Sequence, residues 1–168
     1  CAEVLEKNIE KLSRIITLEM GKVISESRAE INKCAWVCRY YADHAETFLK
    51  DEKLDVEEAD SYLVYDPIGI VLAIMPWNFP FWQVLRFAVP TILVGNTVVL
   101  KHAPNVFGCA LAIEQLFLEA ADRQHTAAQR HLAGHGDVLA HRDTGQHRDD
   151  GGHHRQACRG SVLRRGAV

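Results

Sequence analysis

The chain has 168 residues, 48% hydrophobic, 24% charged and 8% aromatic, and its 19 basic and 22 acidic side chains leave a formal charge of −3. These values fit one soluble globular domain, and the weakly acidic balance gives no support to nucleic-acid binding. The longest apolar stretch, residues 84–100, is interrupted by Arg86, Pro90, Gly95 and Asn96, which argues against a bilayer span of ~20 apolar residues and hence against a membrane partner.

Five cysteines, an odd number without framework spacing, point to separate thiols in a reducing, cytoplasmic compartment. The sequence opens on Cys1 and shows no signal peptide, so it reads as a fragment of a longer protein.

In chain order, Val4, Leu5, Ile9, Leu12, Ile15 and Ile16 recur at three and four, predicting one amphipathic helix over residues 2–20, stopped by Gly21. A second helix is expected over residues 27–49, with Ser27 and Glu30 spaced as a capping box and Ile31, Cys34, Ala35, Cys38 and Tyr41 on one side. Residues 51–60 read as a solvated acidic connection, residues 61–65 alternate as a strand, and Pro67 with Gly69 marks a turn.

Residues 68–75 are almost continuously apolar, as in a parallel strand covered on both faces. Residues 80–94 follow as a helix containing Pro90, which should kink it or end its regular hydrogen bonding. Gly95 and Asn96 turn into a second buried strand over residues 97–101, and Pro104 with Asn105 opens a third helical stretch bearing Val106, Ala110, Ile113, Leu116 and Phe117 on one face. Strand, helix, strand, helix is a βαβα unit, so the fold class is α/β, a doubly wound parallel sheet. Ligands in such sheets lie outside the carboxyl ends of the strands, which directs attention to residues 75–79 and 101–105.

Composition breaks near residue 121. Every aromatic, proline, lysine and glutamate lies within residues 1–121, while residues 122–168 hold 7 of the 9 histidines and 8 of the 12 arginines. A segment without such core-forming side chains buries little apolar surface, so residues 122–168 are expected to be poorly ordered. Their residue set is that of a GC-rich gene read out of frame. His125, His131, His135, His141, His147 and His153 offer a rival reading as a metal-binding module, but their spacing puts no tetrahedral set on one helix face. No metal site is assigned.

Chemistry concentrates at Pro76-Trp77-Asn78-Phe79-Pro80. Two prolines restrain the backbone around an amide at the sheet's mouth, and an amide so held can donate to a developing oxyanion. The same spacing also suits an Asn that merely completes a turn. Lys101, taken without the surrounding pattern, reads as a surface lysine at a strand end. Arg86, among Phe81, Trp82, Val84, Leu85 and Phe87, calls for an anion, because an unpaired buried charge is costly, whether that anion is a substrate's or a structural carboxylate's. Cys34 and Cys38, one turn apart beside Trp36, lack further ligands nearby and read as small buried thiols.

Glu19-Met20-Gly21-Lys22, the Pro76 to Pro80 pentapeptide and Gly95-Asn96-Thr97-Val98-Val99-Leu100-Lys101 resemble, in order and spacing, motifs of the aldehyde dehydrogenase superfamily. The resemblance spans residues 1–121 and implies a partial Rossmann-like cofactor-binding domain. It also implies that residues 51–66 are part of a β oligomerisation flap, and that the intact enzyme is a homo-oligomer, dimer or tetramer.

Residue by residue, the resemblance assigns Asn78 to the oxyanion hole and Ile74, Met75, Pro76 and Trp77 to the wall beside the nicotinamide and its ribose. Lys101 would bind the adenosine ribose, and Phe79 and Arg86 the substrate. Pro104 stands where the family often has a ribose-binding glutamate, which makes NADP at least as plausible as NAD. Arg86, with the Trp82-Gln83 and Lys101-His102-Ala103-Pro104-Asn105 wording, resembles enzymes that oxidise succinate semialdehyde to succinate, a small-molecule aldehyde substrate. The family's nucleophilic cysteine and general-base glutamate lie further downstream than this resemblance reaches. Cys158 is too close to Asn78 in sequence to be that cysteine, and Gly160-Ser161, Gly166 and Gly134-His135-Gly136 lack the context of a nucleotide-binding turn. The chain alone is therefore expected to be inactive, the alternative being a non-catalytic oligomerisation or metal-binding module.

Overall fold

The computed structural model describes residues 1–55 and 61–139, with side chains described through residue 124. The chain divides into two compact units, Cys1–His125 and Thr126–Val168. In the first, α1 (Ala2–Lys7), α2 (Ile9–Met20) and α3 (Ile24–Phe48) precede a hairpin of β1 (Glu52–Leu54) and β2 (Ser61–Leu63). Then come β3 (Ile70–Ile74), α4 (Trp82–Leu93), β4 (Thr97–Lys101), a 3-10 turn (Pro104–Val106) and α5 (Phe107–Leu139), whose residues from Thr126 on are the described part of the second unit.

The α/β class holds, with local corrections. The helix expected over residues 2–20 is two helices, because the Asn8 side chain donates to the Val4 carbonyl (2.9 Å) and competes with the helical ladder. Gly21 ends α2 in the left-handed region at φ 80°, its N–H bonded to the Thr17 carbonyl (3.0 Å).

The Ser27 and Glu30 capping box does not form. Val23 is the N-cap of α3, Ser27 lies one turn inside with its Oγ against Thr17 Oγ1 (3.0 Å), and Glu30 is committed elsewhere. Residues 51–60 are not wholly a connection, since β1 pairs antiparallel with β2, Glu52 opposite Leu63 and Leu54 opposite Ser61.

β3 and β4 are parallel and in register from Ile70 opposite Thr97 to Ile74 opposite Lys101. The Gly95-Asn96 turn feeds this pairing. Gly95 sits at φ 87°, and Asn96 Oδ1 accepts the Gly69 N–H (3.0 Å) while the Thr97 N–H donates to the Gly69 carbonyl (2.8 Å). The expectations that β3 is covered on both faces and that β4 is a buried strand both fail. Ala73 is buried and Val98 and Leu100 pack against the helical core, but Ile70, Leu72 and Ile74 are 60–71% exposed. Among the described residues, helices cover one face only.

The core draws on every helix of the first unit: Leu5 from α1, Ile16 from α2, Ile31 and Cys34 from α3, Leu85 from α4 and Ile113 from α5. Phe81 is completely buried ahead of α4, where such burial contributes about 1.5–3 kcal/mol. Pro90 lies inside α4, which continues to Leu93. α5 runs through Ala121 to Leu139. Residues 140–168, with Cys158, Gly160, Ser161, Gly166 and three of the tail histidines named above, lie outside the described residues.

Candidate active site

The site is built where β3 stops. Met75 donates its N–H to the Lys101 carbonyl (3.0 Å), carrying the parallel ladder one residue past the strand, and Pro76, having no N–H, cannot extend it. The chain then turns through the exposed residues Trp77, Asn78 and Phe79 and re-enters the core at Pro80 and Phe81. Asn78 is exposed, and its amide makes no hydrogen bond to any described side chain or backbone group. Its two donors and its acceptor are open to a ligand.

The loop is held from behind. His102, just beyond β4, accepts the Ala103 N–H at Nδ1 (2.8 Å). Because that N–H can only donate, the imidazole proton lies on Nε2, which donates to the Pro80 carbonyl (2.9 Å). Glu30, from α3, is 4% exposed, and its Oε1 accepts the N–H groups of Phe81 (2.9 Å) and Trp82 (3.0 Å). Those donors open α4, and a carboxylate is favoured at a helix N-terminus. The other oxygen of Glu30 accepts from the buried ammonium of Lys22, which also lies 3.7 Å from the centroid of the Phe79 ring.

The second strand-to-helix junction is capped likewise. Glu19 accepts the N–H groups of Gly108 and Cys109, both at 2.8 Å. A Cβ on Gly108 would fall 2.6 Å from Glu19 Oε1, so the carboxylate occupies space that only glycine leaves. Glu19-Met20-Gly21-Lys22 thus has a physical role: one acid caps α5, a glycine ends α2, and a lysine completes the cap of α4. Periodicity could not reveal these roles, since the partners of Glu30 lie 51 and 52 residues away and those of Glu19 lie 89 and 90 away. The sequence signals were only a motif and two apparently ordinary acids.

The proposed cofactor residues come together. Ile74, Met75, Pro76 and Trp77 end β3 while Lys101 ends β4 beside them, Ile74 opposite Lys101 in the register, with Pro104 three residues on. Lys101 is exposed and pairs with no described carboxylate; Pro104 is also exposed and has no side-chain acceptor. An open ammonium beside an exposed apolar strand end fits one flank of a dinucleotide, with or without a phosphate on its ribose.

Arg86 requires a correction. Val84, Leu85, Ala88 and Val89 take the buried face of α4, and the helical period turns Arg86 outward. It is exposed, with no described carboxylate within ion-pair distance, so an unpaired buried charge no longer argues for an anion. Its position still matters, for it follows Trp82 by four and Gln83 by three, on the same side of the helix. Trp82 and Gln83, with Phe79, Lys22, Lys33 and Glu26, line an open groove of about 480 Å3 beside the loop, and the Lys33 ammonium lies 4.2 Å from the centroid of the Trp82 ring.

Cys34, Cys38 and Cys109 are buried free thiols, and burial pushes all three up from the ordinary 9.0, with Glu30 adding to the effect at Cys34 and Glu19 at Cys109. A thiol so shifted stays protonated at neutral pH, which makes these three poor nucleophiles. Among the described residues no three His, Cys, Asp or Glu side chains gather as a metal site, and no helix is long and apolar enough to cross a membrane.

Two parallel strands crossed by a helix, with a proline-bracketed loop at their carboxyl ends, define an α/β Rossmann-like partial domain. The profile of the aldehyde dehydrogenase family matches residues 1–128, and the chain belongs to that family. A probable succinate-semialdehyde dehydrogenase (NADP+) of Synechocystis sp. is 52% identical over 119 residues, which are 71% of this chain and 26% of that protein. A succinate semialdehyde dehydrogenase (NAD(P)+) of Escherichia coli is 51% identical over 118 residues, 70% of this chain and 26% of that protein. Among solved structures, succinic semialdehyde dehydrogenase from Streptococcus pyogenes in complex with NADP+ superposes with a TM-score of 0.70 at 38% identity, covering 71% of this chain and 26% of that one. The chain therefore spans about a quarter of the length of the relatives it matches.

Proposed function

We propose that this chain supplies part of the active site of an NAD(P)-dependent aldehyde dehydrogenase that oxidises succinate semialdehyde to succinate. The observation that carries the reading is the unpartnered Asn78 amide, presented by a braced loop at the carboxyl ends of two parallel strands. As a thiolate from elsewhere in the intact enzyme forms a C–S bond to the aldehyde carbon, the carbonyl electron pair moves onto oxygen, and the Asn78 Nδ2–H donates to it. One such donor is worth about 3–4 kcal/mol of transition-state stabilisation. Arg86, exposed without a carboxylate partner, is suited to the distal carboxylate of the substrate, and Phe79 to its carbon chain.

When bound, the nicotinamide group would accept the hydride. Ile74, Met75, Pro76 and Trp77 would wall it, and Lys101 would hold ribose hydroxyls, while Pro104 leaves a 2′-phosphate unopposed, so NADP suits the site as well as NAD. The names of the Synechocystis and E. coli relatives support both substrate and cofactor. The domain reading remains residues 1–121 as partial cofactor-binding domain, with 51–66 as part of a flap whose exposed Tyr62, Leu63, Val64 and Tyr65 suit pairing with another subunit in a homo-oligomer. The four described free thiols suit a reducing, cytoplasmic setting.

A chimera tests the proposal: residues 1–121 replace the matching segment of the E. coli relative. It should reduce NADP with succinate semialdehyde, and Asn78→Ala should lower kcat by about 100- to 1,000-fold. Wild-type kcat in Asn78→Ala would overturn the oxyanion role. The 168-residue chain alone should produce no reduced nicotinamide, because the family's nucleophilic cysteine and general-base glutamate lie further downstream than the resemblance reaches; turnover above a protein-free control would overturn that expectation.

A further inference from the structure

We infer that Lys22 and Glu30 are positioning residues for Asn78. The inference rests on the proposed oxyanion role only for its effect on catalysis; the positioning itself rests on contacts. The open amide of Asn78 is not held by its own hydrogen bonds, so its direction is set by the backbone on either side. On the strand side the Met75 N–H is fixed to the Lys101 carbonyl. On the helix side Phe79 has one ring face against the Lys22 ammonium, and Phe81 and Trp82 give their N–H groups to Glu30.

A single buried ion pair thus grips three of the four residues that follow Asn78. Stability alone is a poor explanation for it, because a buried ion pair can often be replaced by apolar side chains of similar volume without loss. An apolar pair would, however, offer no acceptor to the Phe81 and Trp82 N–H groups and no cation to the Phe79 ring. What the pair uniquely contributes is a fixed starting point for α4, and with it the direction of the residue two places before Pro80. The charges satisfy each other within the protein, so Lys22 is not left to draw an anion into the groove it lines.

The test uses amide hydrogen exchange and the Asn78 side-chain NH2 resonances of the full-length 15N-labelled chain. Glu30→Ala should speed exchange of the Phe81 and Trp82 amides by at least about tenfold more than that of the Ile16 amide in α2, and should shift the Asn78 resonances. Acceleration of all three amides in parallel, or unshifted Asn78 resonances, would overturn the inference.

If Glu30→Ala fails to fold, the double variant K22M/E30Q decides, since it removes both charges and keeps an acceptor for Phe81 and Trp82. Protected amides with shifted Asn78 resonances support the inference, and an Asn78 signal identical to wild type overturns it. In the chimera, K22M/E30Q should lower kcat by about tenfold, the scale of one weakened contact, with KM for succinate semialdehyde unchanged. A raised KM at unchanged kcat would point to a structural effect on the groove. If Asn78→Ala has no kinetic effect while the resonances still respond to Glu30, it is the oxyanion role that fails and the positioning that survives.

Discussion

The two strand-to-helix junctions of this chain solve one problem in two ways. Each needs an acceptor for the open N–H groups of a helix, and each takes a carboxylate from the N-terminal helices, Glu30 for α4 and Glu19 for α5. Glu30 is buried and carries Lys22 as counter-ion; Glu19 is only half-buried and has no described cation beside it. The difference follows from solvation: a fully desolvated carboxylate needs a partner charge, whereas one still touching water can be balanced by solvent and the helix end. It also follows the proposed chemistry, because the heavily braced junction is the one that carries Asn78.

The comparison breaks most visibly at Glu30. Glu30→Ala leaves the Lys22 ammonium buried without its partner and should cost about 3–5 kcal/mol in urea unfolding, whereas K22M/E30Q should recover most of that loss. A double variant as unstable as the single would mean that the charges dominate, and not the hydrogen bonds that the glutamine retains.

The next effect separates the buried thiols from both caps. Above the ordinary thiol value of 9.0 the unfolded chain loses protons that folded Cys34 and Cys109 keep. Their contribution is therefore intact below pH 9 and declines as pH rises beyond it, by about 1.4 kcal/mol per pH unit for each thiol. Unfolding measured from pH 8 to 10 should show this fall, with one thiol's share of the slope gone in Cys34→Ala whatever its cavity costs. A slope unchanged by that substitution would contradict the burial of Cys34.

At the lighter junction, Glu19→Ala should cost about 0.5–2 kcal/mol, the ordinary value of a lost cap. Gly108→Ala should cost a similar amount, because the new Cβ displaces the same carboxylate from its 2.6 Å position. The two losses share one cause, so the double variant should be no worse than the poorer single. Additive losses would show that Gly108 matters for a reason other than Glu19.

What the sequence made legible divides along the same line. The strand, helix, strand order, the Gly21 stop and the Gly95-Asn96 turn were readable because their causes are local: apolar period, a left-handed glycine, an Asn side chain bonded across a turn. The loop bearing Asn78 was readable as a proline-bracketed motif. The braces were not, since Lys22, Glu30, Glu19 and His102 act over long sequence distances and polar residues ordinarily read as surface. Ser27 and Glu30 show the cost of local reasoning: a spacing that suits a capping box was used instead for contacts with α2, by Ser27, and with the start of α4, by Glu30. The bare face of β3 escaped for the opposite reason, because an apolar run reports how much surface a strand is suited to bury, not which of its covering layers the described residues contain.

Arg86 gives the smallest expected effect on stability and the sharpest contrast with Glu30. Like Lys22 it is a basic side chain, yet it is exposed and has no partner among the described residues, so Arg86→Ala should change unfolding by less than about 0.5 kcal/mol. Any larger loss would reveal a structural partner. In the chimera the same substitution should raise KM for succinate semialdehyde about tenfold or more, the worth of one charged contact, while KM for an uncharged aldehyde such as butanal stays the same. Equal loss on both substrates would place Arg86 outside substrate recognition, and a charge kept on the surface at so little structural benefit would then need another explanation.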